Sequence, residues 1–186
     1  FALTGDIIDK QMCVDWLPEI FSPAEAQDGR FFILGNHDTR IVDPSETREA
    51  MSRAGWTDLG PRVLHCKLRD VPTALIGNEH PWFGRPKMDG IGESDFRLLL
   101  SHSPDQITWA RRHGVHLMLA GHTHGGQGRL PLAGPLLSPS VHGSRFASGD
   151  FVKPPTTMHV TRGLGGCHLI RIHCRPELSL ITLRMG

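Results

Sequence analysis

Four short apolar runs in this chain each stop at residues able to ligate a metal ion. Residues 1–4 are closed by Gly5 and Asp6, and residues 30–34 end in Gly35-Asn36-His37-Asp38. Residues 96–100 end in Ser101-His102, and residues 115–120 lead into Gly121-His122-Thr123-His124-Gly125-Gly126-Gln127. Continuous apolar runs suit strands buried on both faces. The carboxyl ends of such strands are where open α/β sheets bind ligands. Each run has a plain reading of its own: Asp6 or Asp38 as a turn or cap aspartate, and the paired histidines as a polar turn. The same placement after four separate runs is what the plain readings do not explain.

The residue types point to one kind of chemistry. His122 and His124 stand two apart, so in an extended segment their side chains point the same way. Carboxylate, amide oxygen and imidazole together suit Mn, Fe or Zn better than calcium or a thiolate site. With 12 histidines in 186 residues, such a site has donors to draw on. The flanking Gly121, Gly125 and Gly126 allow a sharp turn close to a bound group.

Elsewhere the pattern predicts a helix over 12–21, kinked or divided at Pro18. A turn capped at Ser22-Pro23-Ala24-Glu25 is expected after it. A second helix is predicted from Asp43-Pro44-Ser45-Glu46 to about Ala54, and a third over 105–113 with Pro104 at its first turn. Residues 56–59, 62–68 and 73–77 read as three strands of an antiparallel meander, with Gly60-Pro61 and Arg69-Asp70 at the turns. Residues 79–92, with Trp82 and Phe83, read as a loop able to wall a cleft. Residues 128–155 are long for a loop, which implies a function or partial order from packing. Residues 156–161, 168–172 and 178–183 are expected as three closing strands.

Composition narrows the function. The length suits a single domain over 1–186, and 39% hydrophobic with 21% charged residues suits a globular core. A net charge of +1 gives no bulk electrostatic case for nucleic acid. No apolar run approaches the roughly 18 residues that span a bilayer. Cys13, Cys66, Cys167 and Cys174 lack zinc-knuckle spacing and read as free thiols. The chain opens mid-strand without an initiator Met, so further residues are expected upstream.

Taken as a set, these residues resemble the calcineurin-like metallophosphoesterases. That family's blocks are D-x-H, G-D-x-x-D, G-N-H-D or G-N-H-E, a lone His, and G-H-x-H. Here Gly5-Asp6-Ile7-Ile8-Asp9, Gly35-Asn36-His37-Asp38, His102 and Gly121-His122-Thr123-His124 follow in the family's order. The D-x-H block is missing and would lie upstream of Phe1, so the domain is expected to be truncated at its N-terminus. The resemblance implies a two-sheet β-sandwich flanked by helices, in four α/β/β/α layers. It implies two divalent metal ions (Mn, Fe or Zn), a bridging hydroxide and a phosphate-ester substrate. Asp6 would bridge the metals; Asn36, His102 and His122 would complete one site, and His124 would join the other. His37 would protonate the leaving group, oriented by Asp9, rather than bind metal.

The Gly-His-Thr-His-Gly-Gly-Gln run looks like a bacterial branch that includes membrane-associated phosphodiesterases and enzymes cleaving a UDP-diacylglucosamine pyrophosphate. Members often carry an N-terminal membrane segment or export signal, which here would precede Phe1. Compartment and oligomeric state stay open. Arg145 and Arg162 can bind phosphate in principle, but surface or structural roles are expected for both. A phosphodiesterase is the leading reading. A phosphomonoesterase or nuclease on the same site, and an inactive metal-binding fragment, are the alternatives.

Overall fold

The computed structural model describes residues 1–131, 134–135, 138–166 and 170–184. It is a mixed α/β structure built around two sheets. Strands β1 (Ala2–Thr4), β2 (Phe31–Ile33) and β3 (Thr57–Asp58) form a parallel three-stranded sheet in that order. The larger sheet takes β4 (Val63–Leu68), β5 (Val71–Asn78), β6 (Phe96–Ser101), β7 (Leu117–Ala120), β10 (Gly149–Lys153) and β11 (Thr156–Val160). Its order is β10-β11-β7-β6-β5-β4, parallel through the centre and antiparallel at both edges. A small ladder joins β8 (Arg129–Leu130) and β9 (Gly134–Pro135). The α-helices among the described residues are α1 (Leu17–Phe21), α2 (Pro44–Arg53) and α3 (Ile107–Arg112).

The period-two alternation of each central strand sets the layers. In β2, Ile33 faces Leu75, Leu98, Leu100 and Leu117 of the large sheet, forming a core between the sheets. Its neighbours Phe32 and Leu34 face the other way, against Leu17, Ala50, Met51 and Trp56 of the α1 and α2 side. In the large sheet, Ile76, Leu99, Met118 and Met158 point away from the small sheet, onto Ile107 and Ala110 of α3. The four layers expected from the family resemblance are therefore present. Burying a leucine or isoleucine of this kind stabilises the fold by about 1.5–3 kcal/mol.

The helix starts follow from local chemistry. The Asp43 side chain accepts a hydrogen bond from the Ser45 amide at 2.8 Å, with Pro44 in the first turn. Ser103 caps the turn at Pro104 in the same way. Pro18 opens α1 after a 3-10 turn over Gln11–Trp16, so the predicted 12–21 helix is divided there. Residues 22–25 form a turn and no further helix.

Two expectations are corrected. The segment at 56–59 is not part of a meander: β3 pairs parallel with β2 in the other sheet, leaving β4 and β5 as a hairpin. Apolar content marked it as a strand but carries no information about the partner. Residues 178–183 alternate like a strand yet form no strand pairing among the described residues. Side chains hold the segment down instead: Ser179 Oγ lies 2.8 Å from His159 Nε2, and Glu177 pairs with Arg162. The strand expected at 168–172 falls partly outside the described residues, and Ile172 makes one bridge to Gly128. The long 128–155 segment is largely ordered, since it contains β10 and buries Phe146 and Ala147. Among the described residues, no helix is long and apolar enough to cross a membrane.

Candidate metal centre

Four strand ends from the two sheets converge on one site. Asp6 follows β1 and Asn36 with His37 follow β2, from the small sheet; His102 follows β6, and His122 with His124 follow β7, from the large one. Gly35 lets the β2 end approach closely, because a Cβ there would strike Asp6 Oδ1 and the His102 ring. Asp6, His122 and His124 have φ of 55°, 69° and 50°. Left-handed backbone at non-glycine residues costs about 1–3 kcal/mol each and collects at functional sites.

Asp6 is the hub. Its Oδ1 accepts the His37 amide at 2.8 Å and lies 3.2 Å from His102 Nε2. Burial alone would raise its pKa, but the His102 ring and the His37 amide outweigh that and hold it at about 2. His102 is 1% exposed, and its Nδ1 is 2.7 Å from the Thr4 carbonyl. A carbonyl only accepts, so Nδ1 carries the hydrogen. His102 Nε2 then faces Asp6 Oδ1 at 3.2 Å, Asn36 Oδ1 at 2.9 Å and His122 Nδ1 at 3.1 Å. Burial and then the neighbouring His102 ring push His122 down to about 4, and burial likewise lowers His124. Both rings are held toward the neutral form that binds metal.

His37, 4% exposed, stands on the other side of Asp6. Its Nδ1 is 2.5 Å from Asp9 Oδ1, and its Nε2 is 3.9 Å from Asp6 Oδ2. Arg40, which sequence reasoning passed over, and Asp38, which it read as a turn or cap, complete this side. Arg40 reaches Asp9 Oδ1 at 2.6 Å and His37 Nε2 at 3.2 Å. Asp38, fully buried, is no simple cap: it accepts the amides of Ile7, Ile8 and Gly35 at 3.1, 3.1 and 2.7 Å and binds the β1 and β2 ends together. The three-residue spacing of His37 and Arg40 was a usable signal for Arg40; nothing local identified the Asp38 contacts. Trp82 does wall the site, with its ring 5.1 Å from His102 and 4.9 Å from His122. Arg162 pairs with Glu177, and Arg145 lies over Phe146. Arg171 braces the His124 loop through the His124 and Arg162 carbonyls.

The donor set fits divalent metal. One proton on His102 Nε2 satisfies one of the three acceptors facing it, whereas a cation satisfies all of them. Two further buried acceptor atoms, Asp6 Oδ2 and His124 Nε2, have no hydrogen-bond partner among the described residues. The ligand atoms of Asp6, His102 and His122 all lie within 4.8 Å of one another, and so do those of Asp6, His37 and His124. Asp6 belongs to both groups.

The chain is 32% identical over 187 residues to the phosphodiesterase YaeI of Escherichia coli (strain K12), covering 97% of this chain and 68% of that protein. It belongs to the metallophosphoesterases. A second metallophosphoesterase, YkuE of Bacillus subtilis (strain 168), is 30% identical over 196 residues, covering 98% of this chain and 67% of that protein. The UDP-2,3-diacylglucosamine pyrophosphatase LpxG of Chlamydia muridarum (strain MoPn / Nigg) matches 45% of this chain and 28% of its own length at 30% identity. No protein-family model and no solved structure matches this metallophosphoesterase. Membership makes it a metal-dependent phosphoric ester hydrolase, and its Asp and His clusters could hold a metal ion.

Proposed function

We propose that residues 1–186 form one phosphodiesterase domain that works through two divalent metal ions sharing Asp6. The observation that carries this reading is the place of the Asp6 carboxylate, which lies beside His102 and His122 in one cluster and beside His124 in the other. Asn36, His102 and His122 would hold one ion with Asp6, and His124 the other. The guanidinium of Arg40 at 3.2 Å from His37 Nε2 disfavours a second cation on that nitrogen. This supports His37 as a substrate-facing group and not a ligand. When bound, the ions would supply a hydroxide nucleophile at neutral pH and neutralise the phosphoryl oxygens.

The protein groups then do the rest. Asp9 fixes the His37 tautomer by accepting the Nδ1 hydrogen bond, so Nε2 is the position that would take up a proton from solvent and pass it to the departing oxygen. Asn36 adds a neutral ligand, which keeps the centre positive enough for an anionic ester. Trp82 shields His102 and His122 from water on the large-sheet side. The names of YaeI and LpxG, a phosphodiesterase and a pyrophosphatase, support a substrate with phosphate linked on two sides.

The test pairs two measurements. Protein loaded with Mn or Zn and desalted should retain near two ions per chain by elemental analysis. The same sample should hydrolyse bis-p-nitrophenyl phosphate faster than p-nitrophenyl phosphate. One ion per chain would overturn the paired centre, and a preference for the monoester would overturn the phosphodiesterase assignment.

A further inference from the structure

Arg40 stands between His37 and solvent. The 3-10 turn over His37–Arg40 brings the two residues to one side, since that helix has three residues per turn. Asp9 Oδ1 holds both His37 Nδ1 at 2.5 Å and Arg40 Nη1 at 2.6 Å. The Arg40 side chain is 51% exposed and that of His37 only 6%, so an arriving anion meets the guanidinium first. With Nδ1 donating to the carboxylate, His37 Nε2 presents its lone pair, and Arg40 Nη2 donates to it at 3.2 Å.

The two ends of the guanidinium are held unequally. Nη1 is bound to a carboxylate, while Nη2 is bound to a neutral ring nitrogen. A phosphoryl oxygen carries negative charge and is the stronger acceptor for an arginine donor. An anionic ester near His37 therefore competes well for Nη2 without displacing Nη1 from Asp9.

We infer that Arg40 is a substrate-binding residue: it gives its Nη2 donor to a non-bridging oxygen of the phosphate ester while remaining tied to Asp9. The inference rests on the reading above in which His37 faces the ester.

The experiment uses metal-loaded protein with inorganic phosphate as the probe. Phosphate binding by calorimetry and bis-p-nitrophenyl phosphate kinetics are measured for wild type, Arg40→Ala and Arg40→Lys. Arg40→Ala should bind phosphate roughly ten- to a hundredfold more weakly and show a raised KM. Arg40→Lys keeps the charge but not the fork and should recover part of the loss. Arg40→Gln, neutral and of similar length, replaces the alanine variant if that one melts early. A loss confined to kcat, with phosphate binding unchanged, would mean that Arg40 only orients His37 and overturns the inference. Wild-type phosphate affinity in Arg40→Ala overturns it as well, with the phosphodiesterase reading intact. Wild-type protein that neither binds phosphate nor cleaves the diester overturns both.

Discussion

The Nδ1 atom of His102 lies 2.7 Å from the main-chain carbonyl of Thr4. One hydrogen bond thus joins the end of β6 in the large sheet to the end of β1 in the small one. It also fixes the ring tautomer, so that Nε2 faces Asp6, Asn36 and His122. His102→Ala should remove one ion per chain in elemental analysis. It should also cost about 1–3 kcal/mol in urea unfolding of the metal-free protein, because the Thr4 carbonyl loses its buried partner. Full metal content in the variant would rule His102 out as a ligand.

Gly35 tests close packing at the centre without touching a ligand. Its φ is not in the left-handed region, so alanine is tolerated by the backbone, but the added methyl would collide with Asp6 Oδ1 and the His102 ring. Gly35→Ala should weaken metal binding roughly ten- to a hundredfold, in line with losses from misplaced ligand support. Competition with a chelating dye reads this directly. An unchanged affinity would mean that Asp6 moves aside at no cost.

Asp38 predicts a pH dependence. Burial first of all raises its carboxyl to about 6, against the opposing pull of the Gly35 and Ile8 amides. A carboxyl raised in the folded state binds its proton more tightly there than in the unfolded chain. Its contribution to stability is therefore complete below about 4 and falls as pH rises through about 6. Asp38→Asn should flatten that part of the stability profile of metal-free protein, measured by urea unfolding between pH 4 and 7. It should also lower stability by about 1–3 kcal/mol, since the amide nitrogen cannot accept from the Gly35 amide. A slope identical to wild type would remove Asp38 as its source.

Behind the β2 end, Glu79 is a buried charge with a defined job. It is fully buried, accepts the Leu34 amide at 2.6 Å and pairs with Arg48 at 2.7 Å, and Arg48 also holds Asp58. Removing one member of a buried pair leaves the other unpaired, at about 3–5 kcal/mol. Glu79→Ala should show a loss of that size in chemical denaturation. Because the chain runs on from Glu79 to Trp82, tryptophan fluorescence should become less sensitive to added metal. A variant as stable as wild type would show that Arg48 finds other partners.

Much of the site was legible in the sequence because its residues sit where strands stop. Asp6, Asn36, His102, His122 and His124 were found from apolar runs and residue types alone, and the structure brings all five together. Layering was legible for the same reason: Phe32, Ile33 and Leu34 fit a strand buried on both sides. Sheet membership was not, because the pattern at 56–59 is the same whichever strand lies alongside. Contacts between distant residues were also hidden. Asp38 reaches Ile7 across 31 positions, and Glu79 reaches Leu34 across 45. At 178–183, alternation marked an amphipathic strand, but pairing needs a free neighbour, and Ser179 and Glu177 attach to side chains instead.

Both ligand groups draw on both sheets. Asp6 comes from the small sheet, and His102, His122 and His124 from the large one. Slipping one sheet past the other by a single residue is a displacement of roughly 3.3 Å, larger than a metal–ligand bond. An ion held there therefore acts as a rivet through the sandwich, and its loading is a gauge of how the two halves are aligned. Pulled apart in an optical trap, the loaded molecule would separate at higher force than the metal-free one. The rupture would be abrupt, because one carboxylate, that of Asp6, lies in both clusters.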